Sequence, residues 1–269
     1  MKEFKIDIDQ KLVLENGNWI LHKKGVPDVD VPTSIFKYYA LNEYNIDALR
    51  NSYFFLSNPK DFNDPFDCNY NLILEQQKEF ITGFPSPSLN DVANKGICCF
   101  STKGLDPLMW GHYTGSYYGF VVEYETNLEI VRTPKMIRQK LMKVIYSKDP
   151  KSVSENSPFA NQYQLLIKLA HWQYENEWRL IVDKKDNSMN KIHFEDKSIK
   201  SISFGYQMMS AGKSDDQILS ESLMQLIREK YADVPKFIVG PAAKELKLKK
   251  LPLIEQKAED YDGFRIILK

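Results

Sequence analysis

Gly96-Ile-Cys-Cys-Phe-Ser101, Asp106-Pro-Leu-Met-Trp-Gly-His-Tyr113 and Tyr117-Tyr-Gly-Phe-Val-Val-Glu-Tyr124 follow one another along the chain and decide the fold class. The first run is short and apolar, so it reads as a buried strand. Asp106 then offers a capping carboxylate just before Pro107. Proline suits a first helical position, where its missing N–H would have no partner anyway. The helix it opens, Leu108–Tyr113, is short and contains Gly111. The third run, 117–124, is aromatic and β-branched, as strands are.

The same mixture extends to both sides. Leu12-Val-Leu-Glu-Asn-Gly-Asn-Trp-Ile-Leu21 places two apolar runs around Asn16-Gly17, a pair that accepts positive φ and marks a hairpin. Ile35–Tyr39 and Tyr53–Ser57 read as strands, with Asn45 capping a short helix through Arg50. Asn58–Asp67 holds two prolines and several Asn and Asp residues, which makes an ordered turn. Leu74–Phe84 is weakly helical, and Pro85–Ser88 is a surface loop. Leu141–Tyr146 reads as a strand and 147–160 as a loop. Residues 161–173 carry a helical stripe at Leu165, Leu166, Leu169 and Trp172. Glu177–Val182, Lys191–Phe194, Ile199–Phe204, Phe237–Val239 and Phe264–Leu268 fit strands. Asp215–Tyr231 is the clearest helix, with capping-box spacing between Ser214 and Gln217.

Strands and short helices thus alternate without a regular strand–helix–strand period. The expected class is α+β: a central, mostly antiparallel mixed sheet with short helices packed around it. Residues 1–34 read as an N-terminal hairpin extension and 35–269 as a single α+β domain.

Composition narrows the function. The 269 residues are 43% hydrophobic and 27% charged, which excludes a disordered or collagen-like chain. Thirty-six basic residues balance 36 acidic ones, so the chain lacks the basic excess of a protein held mainly by phosphates. Three cysteines without CxxC spacing argue against zinc and for a reducing cytoplasm. No apolar signal core and no membrane-length apolar run is visible. P-loop, GxGxxG, HExxH and GxSxG signatures are absent.

Four segments look more specific than composition requires: Lys37-Tyr38-Tyr39, Asn63-Asp-Pro-Phe-Asp67, Cys99-Phe-Ser101 with Met109-Trp-Gly-His-Tyr113, and Trp172-Gln-Tyr-Glu-Asn-Glu-Trp-Arg179. Each also has a structural explanation. Glu175, Glu177 and Arg179 can share the solvent face of a strand and pair there. Asp64 can close a turn through Asx hydrogen bonds. Ser101 can cap the loop after its strand, and His112 can be a hydrogen-bonded structural histidine. The tryptophans can be core anchors.

Phe-Asn-Asp-Pro-Phe, Cys-Phe-Ser, Met-Trp-Gly-His-Tyr and Glu-Asn-Glu-Trp-Arg-Leu, in this order, resemble a bacterial family called domain of unknown function 2971, over roughly residues 35–240. The resemblance implies no reaction, although some members sit among anti-phage and mobile-element genes. The chain also resembles the mono-ADP-ribosyltransferases more distantly. That likeness implies a substrate, NAD, and no metal. It implies catalytic roles for Glu177, Glu175 and Ser101, and a ligand-binding role for Lys37, Tyr38 and Tyr39; Asp64, His112, Tyr113 and Arg179 are further candidate ligand-binding residues from the segments above. Lys37, Tyr38 and Tyr39 stand where that superfamily has a His or Arg. The acceptor could be a protein, a nucleic acid or water. The chemistry suits a Glu, because breaking the nicotinamide–ribose bond builds oxocarbenium charge.

Two alternatives stay open. One is a non-catalytic protein-binding or sensing module. The other is a magnesium-dependent nuclease acting through Asp64, Asp67 and Glu177.

Overall fold

A computed structural model describes residues 3–7, 10–15, 18–23, 31–69, 72, 94–126, 141–153, 160–184, 190–209, 214–257 and 264–268. The strands are β1 Glu3–Asp7, β2 Gln10–Glu15, β3 Asn18–Lys23, β4 Ser34–Tyr39, β5 Tyr53–Phe55, β6 Lys95–Ser101, β7 Phe120–Glu125 and β8 Leu141–Lys143. They continue as β9 Ile145–Ser147, β10 Ile167–Leu169, β11 Glu177–Asp183, β12 Lys191–His193, β13 Ile199–Gly205, β14 Lys236–Pro241, β15 Leu248–Lys257 and β16 Phe264–Leu268. The helices are α1 Glu43–Arg50, α2 Pro107–Tyr113, α3 Ala160–Leu166 and α4 Ser214–Lys230. The class is α+β. None of the described helices is long and apolar enough to cross a membrane. The regions 74–84 and 85–88, expected as a weak helix and a loop, lie outside the described residues.

Two compact units divide the chain. One combines Thr33–Tyr53, Ser101–Leu128 and His193–Lys269. Its strands run in the order β16-β15-β14-β13-β7-β4, and every neighbouring pair is antiparallel except β13 with β14. Alternation along β4 and β7 sends side chains to both faces. Phe36, Tyr38, Val121 and Val239 pack with Trp110 and Tyr117. Tyr39, alternating with Tyr38, stacks on Phe120 at 5.0 Å and bonds Tyr124 through its hydroxyl at 3.0 Å. On α1 and α4, Ile46, Leu49, Leu223 and Ile227 are buried, as is Tyr231 just after α4.

Helix α2 begins as the sequence dictates. Asp106 accepts the amides of Leu108 and Met109 at 3.0 and 3.3 Å, ahead of Pro107. Its Trp110 is fully buried and donates to the Gly104 carbonyl at 2.9 Å. Strand β7 starts at Phe120 and not at Tyr117, because Gly115, Ser116 and Tyr117 all take positive φ and turn the chain first. Helix α1 is capped by Asn42 and not by Asn45: the Asn42 side chain accepts the Asn45 amide, while Asn45 itself donates to Ala40.

Gly119 shows how tight this register is. A Cβ there would lie 2.0 Å from the Tyr39 carbonyl oxygen, a backbone atom that cannot swing away. Gly119→Ala should therefore cost at least about 2–3 kcal/mol, read as a lowered urea midpoint. An unchanged midpoint would mean that β4 and β7 do not meet in this register.

The other unit combines Met1–Pro32, Phe54–Phe100 and Glu129–Ile192. Strands β1, β2 and β3 form an antiparallel meander, with Glu15 opposite Asn18 across the expected hairpin. Strands β6, β11 and β8 neighbour one another in that order, and β9 pairs parallel with β10. Leu141–Tyr146 is two strands, not one, and Val144 between them donates its amide to the Glu177 carbonyl. The expected helix over 161–173 stops at Leu166. Residues 167–169 leave it to pair with 145–147, which places Lys168 opposite Tyr146. Tyr163, Leu166, Ile167, Ile145 and Val153 form one core cluster; Cys68, Ile97 and Leu165 form another with Phe62 and Ile181.

Candidate functional site

Asp67 leaves the Asn63–Asp67 turn, and Cys68 directly after it has a left-handed φ of 54°. Glu175 ends two turns of 3₁₀-helix, Ala170–Glu175. Asn176 is also left-handed, at φ 44° and ψ 51°, and Glu177 then opens β11. Asparagine tolerates that conformation better than most residues, whereas a cysteine there is strained. Left-handed backbone at two joints, strained at Cys68, thus brackets one group of charges.

Arg179 is the centre of that group. Its Nη2 donates to both Asp67 oxygens at 2.9 and 2.6 Å, and its Nε to Glu177 Oε1 at 2.8 Å. Nη1 donates to the Leu165 carbonyl at 2.6 Å and to Cys68 Sγ at 3.3 Å. Lys168 supplies the second cation. Its Nζ lies 2.6 Å from Glu175 Oε2, 3.1 Å from Glu177 Oε2 and 3.4 Å from Asp67 Oδ2. Aromatic rings cover both cations: Phe62 lies 5.3 Å from the guanidinium and Trp172 5.1 Å from the ammonium. Tyr146 accepts the Glu177 amide at 2.9 Å.

This arrangement corrects the solvent-face expectation. Arg179 is fully buried, and the side chains of Asp67, Lys168, Glu175 and Glu177 are each at most 7% exposed. Glu175 is not on the strand with Glu177; the two meet because Lys168 reaches both. With all five groups ionised, three carboxylates share two cations and one negative charge is in excess.

Burial alone would push the Glu177 carboxyl up, but Arg179 and Lys168 hold it down, to about 2 from an ordinary 4.5. Lys168 moves oppositely: burial would lower it, yet Glu177, Asp67 and Glu175 raise it above its ordinary value. The ammonium therefore stays protonated and is no nucleophile. Burial raises the Cys68 thiol despite Arg179 beside it, so Cys68 is inert as well.

A depressed carboxyl adds stability that is fully present above the unfolded value and lost as the pH falls through the folded one. The Glu177 share should therefore disappear between about pH 4.5 and 2. Urea midpoints of wild type and Glu177→Gln should converge over that interval. Parallel curves would show that Glu177 titrates normally.

Asp64 and Asp67 both lie in this unit, so two of the magnesium reading's three carboxylates, Asp67 and Glu177, do meet. They meet on Arg179 and Lys168, however, which neutralise the oxygens a magnesium ion would need. Lys168 was not among the expected site residues. A lysine next to Leu169 in an apolar helical stripe looks like one turned to water. The clue lay in its setting, Leu165-Leu-Ile-Lys-Leu-Ala170, where apolar residues flank it on both sides.

Ser101, Lys37, Tyr38, Tyr39, His112 and Tyr113 belong to the other unit. Ser101 is fully buried and accepts the Lys103 amide at 3.0 Å. Tyr38 donates its hydroxyl to the Lys103 carbonyl at 2.8 Å and meets Trp110 edge-on at 5.9 Å. Lys37 Nζ lies 5.4 Å from the Tyr39 ring. His112 is exposed and Tyr113 half-buried, their rings 6.3 Å apart.

Residues 109–180 match the model of a family described as "Protein of unknown function (DUF2971)". The match takes in Met109–Tyr113, Lys168 and Glu175–Leu180, and stops short of Asp64, Asp67 and Ser101. No curated protein and no solved structure matches the chain.

Proposed function

We propose that the chain is a nucleotide-processing enzyme that cleaves the glycosidic bond of NAD or a related nucleotide, as ADP-ribosyltransferases do, with Glu177 as its principal charge. One observation carries the reading: a buried carboxylate is kept ionised by two fixed cations. Cleavage of the C1′–N bond sends the bonding pair to nicotinamide and leaves an oxocarbenium-like ribose. An anion that stays charged at every physiological pH, held in low dielectric, stabilises that cation without reorganising. An acceptor oxygen then adds to C1′ and loses its proton.

Arg179 and Lys168 are positioning residues in this scheme. Lys168 divides its ammonium among three carboxylates and is closest to Glu175. Moving fully onto Glu175 leaves Glu177 Oε2, which also accepts from Arg179 Nη2 at 3.2 Å, with one lone pair for a ribose hydroxyl. Cost also supports a role beyond stability, because apolar replacements of buried ion clusters commonly fold as well or better.

A second reading, a non-catalytic binding module, has its own support: the cations and carboxylates already satisfy one another. Purified protein incubated with NAD and cell extract separates the two. The enzyme reading expects free nicotinamide and an ADP-ribose mass increment on a protein, a nucleic acid or water. Neither product with folded protein would leave the binding module.

A further inference from the structure

Ser201, Phe237 and Lys250 lie on three neighbouring strands, β13, β14 and β15, and Glu123 lies on β7, on the other side of β13. Glu123 stands opposite Ser201, whose hydroxyl donates to Glu123 Oε2 at 2.8 Å. Lys250 reaches the same hydroxyl from two strands away. Neighbouring strands are about 4.8 Å apart, so its stem must lie flat across β14 to do so. Its Nζ sits 3.9 Å from the centre of the Phe237 ring and 3.4 Å from Ser201 Oγ. The side chain is half-buried, and it forms no ion pair among the described residues. Its own face of the nearer strands brings no charge: Val239 follows Phe237 on β14, and Leu248 and Pro252 flank Lys250 on β15. Beyond Ser201 the charges are Glu123 and Lys200, the latter 3.9 Å from Glu123 Oε1 and from Glu125 Oε2. An ammonium in this position loses water without gaining a counterion. Burial pushes the Lys250 amine below its ordinary value, and Glu123 pulls it only part of the way back. The ring face favours the charged form by a smaller amount.

We propose that Lys250 is a modification site, the amine of this sheet face that takes an acyl group from a small acyl phosphate. Such a donor carries its own leaving group and is small enough to meet an amine whose stem is covered. The neutral Nζ adds to the acyl carbonyl and forms the C–N bond. The C–O bond to phosphate breaks, and the bonding pair leaves with the phosphate, which carries off the amine proton. The amide that results can still donate to Ser201 but no longer offers Glu123 a positive charge. The site lies in the unit that does not hold the Arg179 cluster, so it stands apart from the reading of Glu177.

Acetyl phosphate is the probe, with the rate of acetylation at each lysine of the full chain followed by peptide mass spectrometry across a range of pH. At about pH 7.5, Lys250 should react about three- to tenfold faster than Lys244 and Lys249, which are exposed on the same part of the chain. Its rate should also level off at a lower pH than theirs. Glu123→Gln keeps an acceptor for Ser201 but removes the charge that holds the ammonium. It should therefore speed Lys250 by about a further two- to fivefold and leave Lys244 and Lys249 unchanged. A lysine held there for packing alone would not respond to that charge. Reaction at Lys250 no faster than at the two exposed lysines overturns the proposal, and so does a folded Glu123→Gln protein in which Lys250 reacts no faster than in wild type. The comparison within wild type decides the matter by itself if the variant does not fold.

Discussion

Arg179→Ala lowers stability by about 3–5 kcal/mol, the largest effect expected of any single change in the cluster. The side chain is fully buried and holds Asp67, Glu177 and the Leu165 carbonyl together. Its removal leaves three carboxylates in low dielectric with only Lys168 to share, and leaves a buried carbonyl without its donor. Lysine is no substitute, because one ammonium cannot point at three acceptors in a plane. Removing the charges together behaves differently. Arg179→Met with Asp67→Leu and Glu177→Leu should recover most of the loss, since no unpaired charge remains. Urea unfolding of the single and triple variants checks this. A single variant as stable as wild type would mean that water reaches the cluster.

Glu177→Gln should act on rate as well as on stability. The amide keeps the shape and can still accept from Arg179 Nε, while Asp67 and Glu175 continue to balance the two cations. Arg179 and Lys168 lose a partner with the carboxylate, so stability at neutral pH should fall by up to about 3 kcal/mol, the share that acid removes from wild type. The transition state loses its nearest fixed anion, and the rate of nicotinamide release should fall by about 10²–10³-fold. A loss in KM alone would assign Glu177 to uniform substrate binding.

Local chemistry made part of this fold readable. Asp106 before Pro107 fixed the start of α2, and the alternating residues of 35–39 and 199–204 marked β4 and β13. Tertiary pairing overrode local pattern elsewhere. Leu165, Leu166, Leu169 and Trp172 have helical spacing, yet residues 167–169 gain more by pairing with β9 than by continuing α3. The site divides the same way. Spacing two apart put Glu177 and Arg179 on one face, but no periodicity says whether a face of charged residues meets water or protein. Asp67 and Arg179 are 112 residues apart, and Lys168 joins them only through a strand that looked helical. Only the folded chain shows that five charges share one place.

Nicotinamide release from NAD, followed on wild type and Glu177→Gln in parallel with thermal melting of the same preparations, tests the central claim most directly. The expected result is measurable release by wild type, a fall of about 10²–10³-fold in the variant, and a variant that melts several degrees lower but cooperatively and stays folded at the assay temperature. Equal release by both proteins, or none from well-folded wild type, would contradict the assignment of Glu177 as the stabilising charge.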